Sequence, residues 1–148
     1  MPVARINVVA GHARADLKAV LVEVAAAMSG VLGAPVERLQ VWLNEVDADF
    51  WLVAGAPASE ARKTRPVGET VAALVEVSLL KGRPIAQHRA LIAALTDVLA
   101  EGLGIDRSRI RVLVAELSPE SWGIGGVPAS EVRAAEIRAR AAAAEKGD

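Results

Sequence analysis

Three positions in this chain pair a reactive residue type with an informative spacing: Pro2, Arg83 and Arg111. Removal of Met1, expected before a small second residue, turns Pro2 into a terminal secondary amine. Burial in an apolar pocket and a nearby arginine each disfavour the charged form of such an amine, holding its pKa below the ordinary α-amino range. A neutral amine near pH 7 is a competent general base, and its conjugate acid can return the proton. Its ring is rigid, and the strand that follows fixes its position. Taken alone, however, a Met-Pro start is more often just a terminus.

What gives Pro2 weight is that the chain is written twice. GAPASEAR (Gly55 to Arg62) returns 71 positions later as GVPASEVR (Gly126 to Arg133). The same offset joins Gly11 to Gly82, Gly33 to Gly104, Arg38 to Arg109, Glu45 to Glu116 and Trp51 to Trp122. One register without gaps marks two copies of one unit. The copies differ where chemistry would sit: Pro2 pairs with Ala73, His12 with Arg83, and Gln40 with Arg111.

Each copy predicts the same elements. Val3 to Val9 is β-branched and mostly apolar, as in a strand. From Ala13 to Leu32, apolar residues at Leu17, Leu21, Val24, Met28 and Val31 mark one helix face, and Gly33 is placed to stop it. Leu39 to Val46 alternates as a second strand. In the second copy, Leu74 to Leu80 and Ile110 to Leu117 are strands. The helix between them carries His88, Ile92, Leu95, Leu99 and Leu103 on one face and ends at Gly104. A helical crossover implies parallel strands joined with right-handed sense. The expected fold is α/β (α+β): a tandem β-α-β repeat, with one four-stranded sheet and both helices on one side. Residues 1–62 form the first unit, 63–72 the linker, 73–133 the second unit and 134–148 a tail. The tail is rich in Ala, Glu and Arg with little apolar face, so it reads as a solvated helix that frays. The other sheet face is expected to be apolar and to drive assembly.

Bulk properties narrow the function. Units of this size are near the lower limit for independent stability, so each relies on its neighbour. Hydrophobic content is 53% with three Trp and one Phe, so the core must be aliphatic. A formal net charge of −1 gives no drive toward nucleic acid or an anionic membrane. Without cysteine there is neither a disulfide nor a thiolate nucleophile. No apolar run is long enough to span a membrane, and the N-terminus lacks a secretory pattern, so a cytoplasmic protein is expected.

Pro2 with the following VARINVVAGH, EVSLLKGR (Glu76 to Arg83), RIRVLVAEL (Arg109 to Leu117) and WGIGGVPASEVR (Trp122 to Arg133) resemble successive segments of 4-oxalocrotonate tautomerase. The GIGG-x-x-A-S-x-x-R ending, Gly123 to Arg133, is the most specific of these. The resemblance covers about residues 2 to 62 and 73 to 133, and indicates a fused form with two subunits in one polypeptide. It implies a tautomerase/MIF-like fold and a homotrimer of fused chains, a pseudo-hexamer. It also implies a cofactor-independent keto-enol isomerase of small 2-oxo or 2-hydroxydienoate acids, with Pro2 as catalytic base and acid. By the same resemblance, Arg83 and Arg111 bind the substrate's carboxylates and polarise its 2-oxo group, with His12 in the place of Arg83 in the first copy. Arginine suits this work because its fork holds a carboxylate bidentately. Family sites cross subunit boundaries, so Pro2 is expected to meet Arg111 from a second-copy unit. His12 beside Pro2 would fit a substrate with one carboxylate. Trp51 and Trp122 occupy the place of an aromatic wall. Ala73 lacks an amine, so half of the sites should be chemically empty.

The remaining polar residues suggest less. In hydratase and dehalogenase relatives a loop carboxylate activates water, but this chain has Val53 and Ile124 there, which counts against that alternative. Glu45 and Glu116 lie on strands and read as structural. Asp47, Asp49 and Glu120 are weak candidates. Ser59 and Ser130 read as caps, and His88 as a packed residue. Two histidines are too few for a histidine-based metal site, so neither metal nor cofactor is expected. The expected partners are a small carboxylate substrate and copies of the chain. The rival from another class is a non-catalytic oligomeric binding or scaffold protein.

Overall fold

The computed structural model describes residues 2–147. Strand β1 (Val3–Val9), helix α1 (Arg14–Leu32) and strand β2 (Gln40–Val46) make the first unit. A small hairpin of β3 (Leu52–Val53) and β4 (Ala56–Pro57) follows, with the single turn α2 (Ala58–Ala61). The second unit repeats the plan with β5 (Ala73–Leu80), α3 (Ile85–Leu103) and β6 (Ile110–Leu117). Its hairpin is β7 (Gly123–Ile124) with β8 (Val127–Pro128), then the turn α4 (Ala129–Val132). A final helix, α5 (Ala134–Lys146), has no counterpart in the first copy.

The main sheet has the order β2-β1-β5-β6. Strands within a copy pair in parallel, as a helical crossover requires. The two copies join through β1 and β5 in antiparallel register, Val3 opposite Ser78 and Val8 opposite Ala73. That pairing decides which residues meet: the start of β1 lies beside the end of β5.

Alternation along the strands turns Ala4, Ile6 and Val8, and Val75, Val77 and Leu79, to one face, where all are essentially fully buried. Val20, Val24 and Met28 of α1 and Leu91, Leu95 and Leu99 of α3 cover them. Burial of each such side chain contributes about 1.5–3 kcal/mol. The helix faces differ from expectation by a small rotation. Val20 and Leu32 are buried in place of Leu21 and Val31, which flank the core; Leu91 is buried, whereas Ile92 is exposed. The helices pack against each other as well as against the sheet, which turns their buried stripes toward the shared seam. At that seam a Cβ on Gly102 would lie 2.5 Å from Val20 Cγ2, so only glycine fits without movement.

The opposite face of the sheet is not uniformly apolar. At its centre Arg5 Nε donates to Glu76 at 2.8 Å, and Asn7 bonds both Glu76 and Asn44. Apolar exposure is greatest on the outer strands, at Trp42, Leu113 and Leu117. The expected serine caps are also corrected. Ser59 and Ser130 lie inside α2 and α4, whose cap positions are Pro57 and Pro128. Capping side chains belong instead to Asp47, Asp106 and Ser118, each accepting an amide two residues on.

Candidate active site

Pro2 is buried at the start of β1, and Arg83 follows β5 at the same end of the sheet. Both line one cavity of about 1000 Å³, between the end of α1 and the start of α3. The residues that share this cavity are 81 positions apart in sequence and come from different copies. The Pro2 carbonyl accepts the amide of Gln40 at 3.2 Å, which ties the proline to β2.

Arg83 is positioned from several sides. Its Nη1 donates to the Leu32 carbonyl and to Gln87 Oε1, each at 3.0 Å. A cation at the first turn of α3 is mildly unfavourable in the helix dipole, but here the guanidinium reaches the last carbonyls of α1, where positive charge is favoured. Glu116 Oε1 accepts the amides of Gly82 and Arg83 at 3.2 and 3.3 Å, fixing the turn that carries the arginine. His88 Nε2 lies 3.4 Å from that same oxygen. The Arg83 pKa is lowered, first by burial and then by Arg140, with Glu116 opposing.

The same cavity is lined by Arg38, Arg133, Glu136 and Arg140. Glu136 lies 2.7 Å from Arg38 and 3.6 Å from Arg133. Its pKa is lowered, chiefly by the Arg38 hydrogen bond. Four guanidiniums therefore face one carboxylate, and the cavity is suited to an anion. None of these groups other than Arg83 was singled out from sequence. Arg133 was visible as the end of the repeated motif, but Arg140 had no signal beyond a run of Ala and Arg.

The other candidates lie elsewhere in the chain. His12 follows β1 at its far end, roughly 20 Å or more from Pro2 at about 3.3 Å per strand residue. It therefore does not stand beside Pro2 within a chain, because antiparallel joining of the copies puts the second-copy turn there instead. His12 is half-buried, and its pKa is lowered by burial and then by Arg62, with Glu45 and Asp16 opposing. Arg62 itself donates to the Ala10 carbonyl at 2.7 Å. Arg111 opens β6 opposite Leu74, at the other end of the sheet from Pro2. Its Nη1 bonds the Ser108 and Ile110 carbonyls. Trp51 packs with Val9, Val53 and Ala58 at the His12 end. Trp122 follows β6 at the Pro2 end without bordering the cavity. Val53 is buried and Ile124 half-buried, and neither is able to activate water. Among the described residues no group of three His, Asp or Glu side chains comes together to hold a metal ion.

A family model for tautomerase enzymes matches residues 2–61 and again 74–131. A 2-hydroxymuconate tautomerase of Pseudomonas putida is 38% identical over 60 residues, 40% of this chain and 95% of that protein. A probable tautomerase of Ralstonia nicotianae is 37% identical over 60 residues, 40% of this chain and 86% of that protein. Among solved structures, a native fused 4-OT superposes with a TM-score of 0.78 at 27% identity, covering 88% of this chain and 98% of the other. A fused 4-OT described as a symmetric trimer gives 0.76 at 27% identity, with the same coverage. Macrophage migration inhibitory factor of Toxoplasma gondii shares the fold, with a TM-score of 0.68 at 19% identity, over 85% of this chain and 98% of that one.

Proposed function

This chain belongs to the tautomerase family, and from that premise we propose that it is a cofactor-independent tautomerase of small 2-oxo or 2-hydroxydienoate acids, with Pro2 as general base and acid. The observation that carries the reading is the shared cavity of Pro2 and Arg83. A terminal amine there is buried and faces several guanidiniums, both of which favour its neutral form. It takes the proton from the substrate's enol hydroxyl, and the electron pair closes the 2-oxo group. The conjugated carbon then receives a proton from the ammonium so formed. Arg83 holds the adjacent carboxylate and stabilises charge on the 2-oxo oxygen while it develops.

Arg111 enters through assembly. β2 and β6 are the edges of the sheet within one chain, with Trp42, Leu113 and Leu117 exposed along them. Pairing of these edges in a homotrimer, the state in which one fused 4-OT relative is described, would bring Arg111 of one chain toward Pro2 of the next. The His12 end of the sheet, with Trp51 and Ala73, is then the counterpart site without an amine. Residues 1–62 and 73–133 act as the two units, joined by 63–72.

Met1 lies outside the described residues, and its removal frees the amine. Intact mass should show a chain lacking it. A short N-terminal extension makes Pro2 an amide; it should abolish enol-keto conversion, and proteolytic exposure of Pro2 should restore it. Equal activity with the extension in place would remove Pro2 from the mechanism.

A further inference from the structure

Helix α5 is held over the Pro2–Arg83 cavity although it has almost nothing to bury. None of its residues is buried, and its sequence lies beyond the span matched by the family model. Its visible anchors are the Glu136 contacts to Arg38 and Arg133. The helix thereby sets Arg140 on the cavity wall, half-buried, across from Arg83.

The charges there are left unbalanced. Glu136 and Arg140 are spaced i,i+4 with the acid first, an arrangement that ordinarily forms a pair. Here Glu136 turns to Arg38 and Arg133 instead, and among the described residues Arg140 makes no ion pair. Arg83 donates to neutral acceptors, the Leu32 carbonyl and Gln87. Two guanidiniums thus face one space without a carboxylate between them, and their repulsion is felt at Arg83. A ligand with an anion at each end would relieve both.

We propose that Arg140 is a substrate-binding residue that holds a second carboxylate at the far side of the Pro2–Arg83 cavity, so that the site selects dicarboxylates over monocarboxylates. This rests on the reading of Pro2 and Arg83 as the reacting end. The forked guanidinium gives such a carboxylate two parallel hydrogen bonds, and the remaining half-exposure of the helix leaves a path for entry.

Calorimetric binding of adipate and of hexanoate, one chain length with two carboxylates or one, tests the assignment. The wild-type protein should bind adipate the more tightly. R140Q should weaken adipate about tenfold and leave hexanoate within twofold. R138Q, on the exposed face of the same helix, should change neither, and circular dichroism should show α5 intact in both variants. With a dienol diacid, R140Q should raise KM about tenfold at unchanged kcat. Equal weakening of both acids, no change with adipate, or no adipate binding by the wild type would overturn the proposal. An Arg140-dependent preference for adipate in a protein that converts no enol would leave it standing and remove the tautomerase reading instead.

Discussion

Pro2 and Arg83, one from each copy of the repeat, line a single cavity inside one chain because β1 and β5 run antiparallel. Half of a site is therefore complete before any assembly. Arg83→Ala removes a charged hydrogen-bond donor, an interaction ordinarily contributing about 1.5–3 kcal/mol, so kcat/KM should fall roughly 10- to 100-fold. Pro2→Ala should lower kcat by about 10²- to 10⁴-fold, the usual range for a positioned acid-base group. Steady-state assays with a dienol acid check both. A loss confined to melting temperature in the arginine variant would assign Arg83 to structure alone.

Glu116 lies on a strand and read as structural; it does shape the turn, but that turn presents Arg83. Loss of its two amide contacts frees the arginine's backbone. Glu116→Ala should raise KM about tenfold while costing about 1–2 kcal/mol of stability, in keeping with two modest hydrogen bonds. Glu116→Gln keeps an acceptor oxygen and should recover most of the KM. If Gln behaves as Ala does, the carboxylate's charge, rather than its position on the turn, would be what matters.

Much of this architecture was legible in the sequence, and the remainder was hidden for physical reasons. The 71-residue register gave both units, and the periodic apolar residues gave α1 and α3 to within a residue at each end. The pairing of β1 with β5 carries no comparable signal, since parallel and antiparallel joins bury the same alternating residues. His12 was placed beside Pro2 by analogy between copies, and only the direction of the join moves it to the other end. Helix α5 was opaque because surface ion pairs and helix propensity hold it, and neither leaves an apolar stripe. Its reach over the cavity depends on Arg38, a residue 98 positions away.

The Gly102–Val20 contact makes a prediction about the seam between the helices. Gly102→Ala gains helix propensity of about 1 kcal/mol, but its methyl meets Val20 Cγ2 inside the packed seam, an overpacking that costs about 1–3 kcal/mol. Net destabilisation is expected, measured by urea unfolding. Adding Val20→Ala removes the clashing methyl groups, so the double variant should be more stable than the sum of the two single changes implies. Strict additivity would show that the seam relaxes without steric conflict.

His12 should titrate below the ordinary histidine range, because burial and then Arg62 disfavour its charged form. A folded pKa below the unfolded one means that the folded state binds fewer protons. The contribution to stability is present above the unfolded histidine pKa and is lost as pH falls through the folded value. Imidazole NMR signals report the midpoint directly. Arg62→Gln should move it upward without bringing it fully to the ordinary value, since burial remains. A midpoint unmoved in that variant would leave burial as the whole cause.

Glu136 gives the clasp of α5 an acid limit. The Arg38 hydrogen bond lowers its pKa, so the clasp contributes above the ordinary carboxylate pKa and is lost as pH falls through the folded value. Both partners are nearly half exposed, so the effect should be small and weakened further in 1 M salt, where the screening length is about 3 Å. Backbone NMR signals of Ala134 to Lys146 should shift together with a midpoint below that of an ordinary glutamate. Arg38→Gln should cause much of the same shift at neutral pH, because it leaves Glu136 with the longer Arg133 contact alone. Since α5 carries Arg140, acidification should loosen the far wall of the cavity before it unfolds the sheet. Signals that titrate together only with global unfolding would mean that the helix is held by something other than this pair.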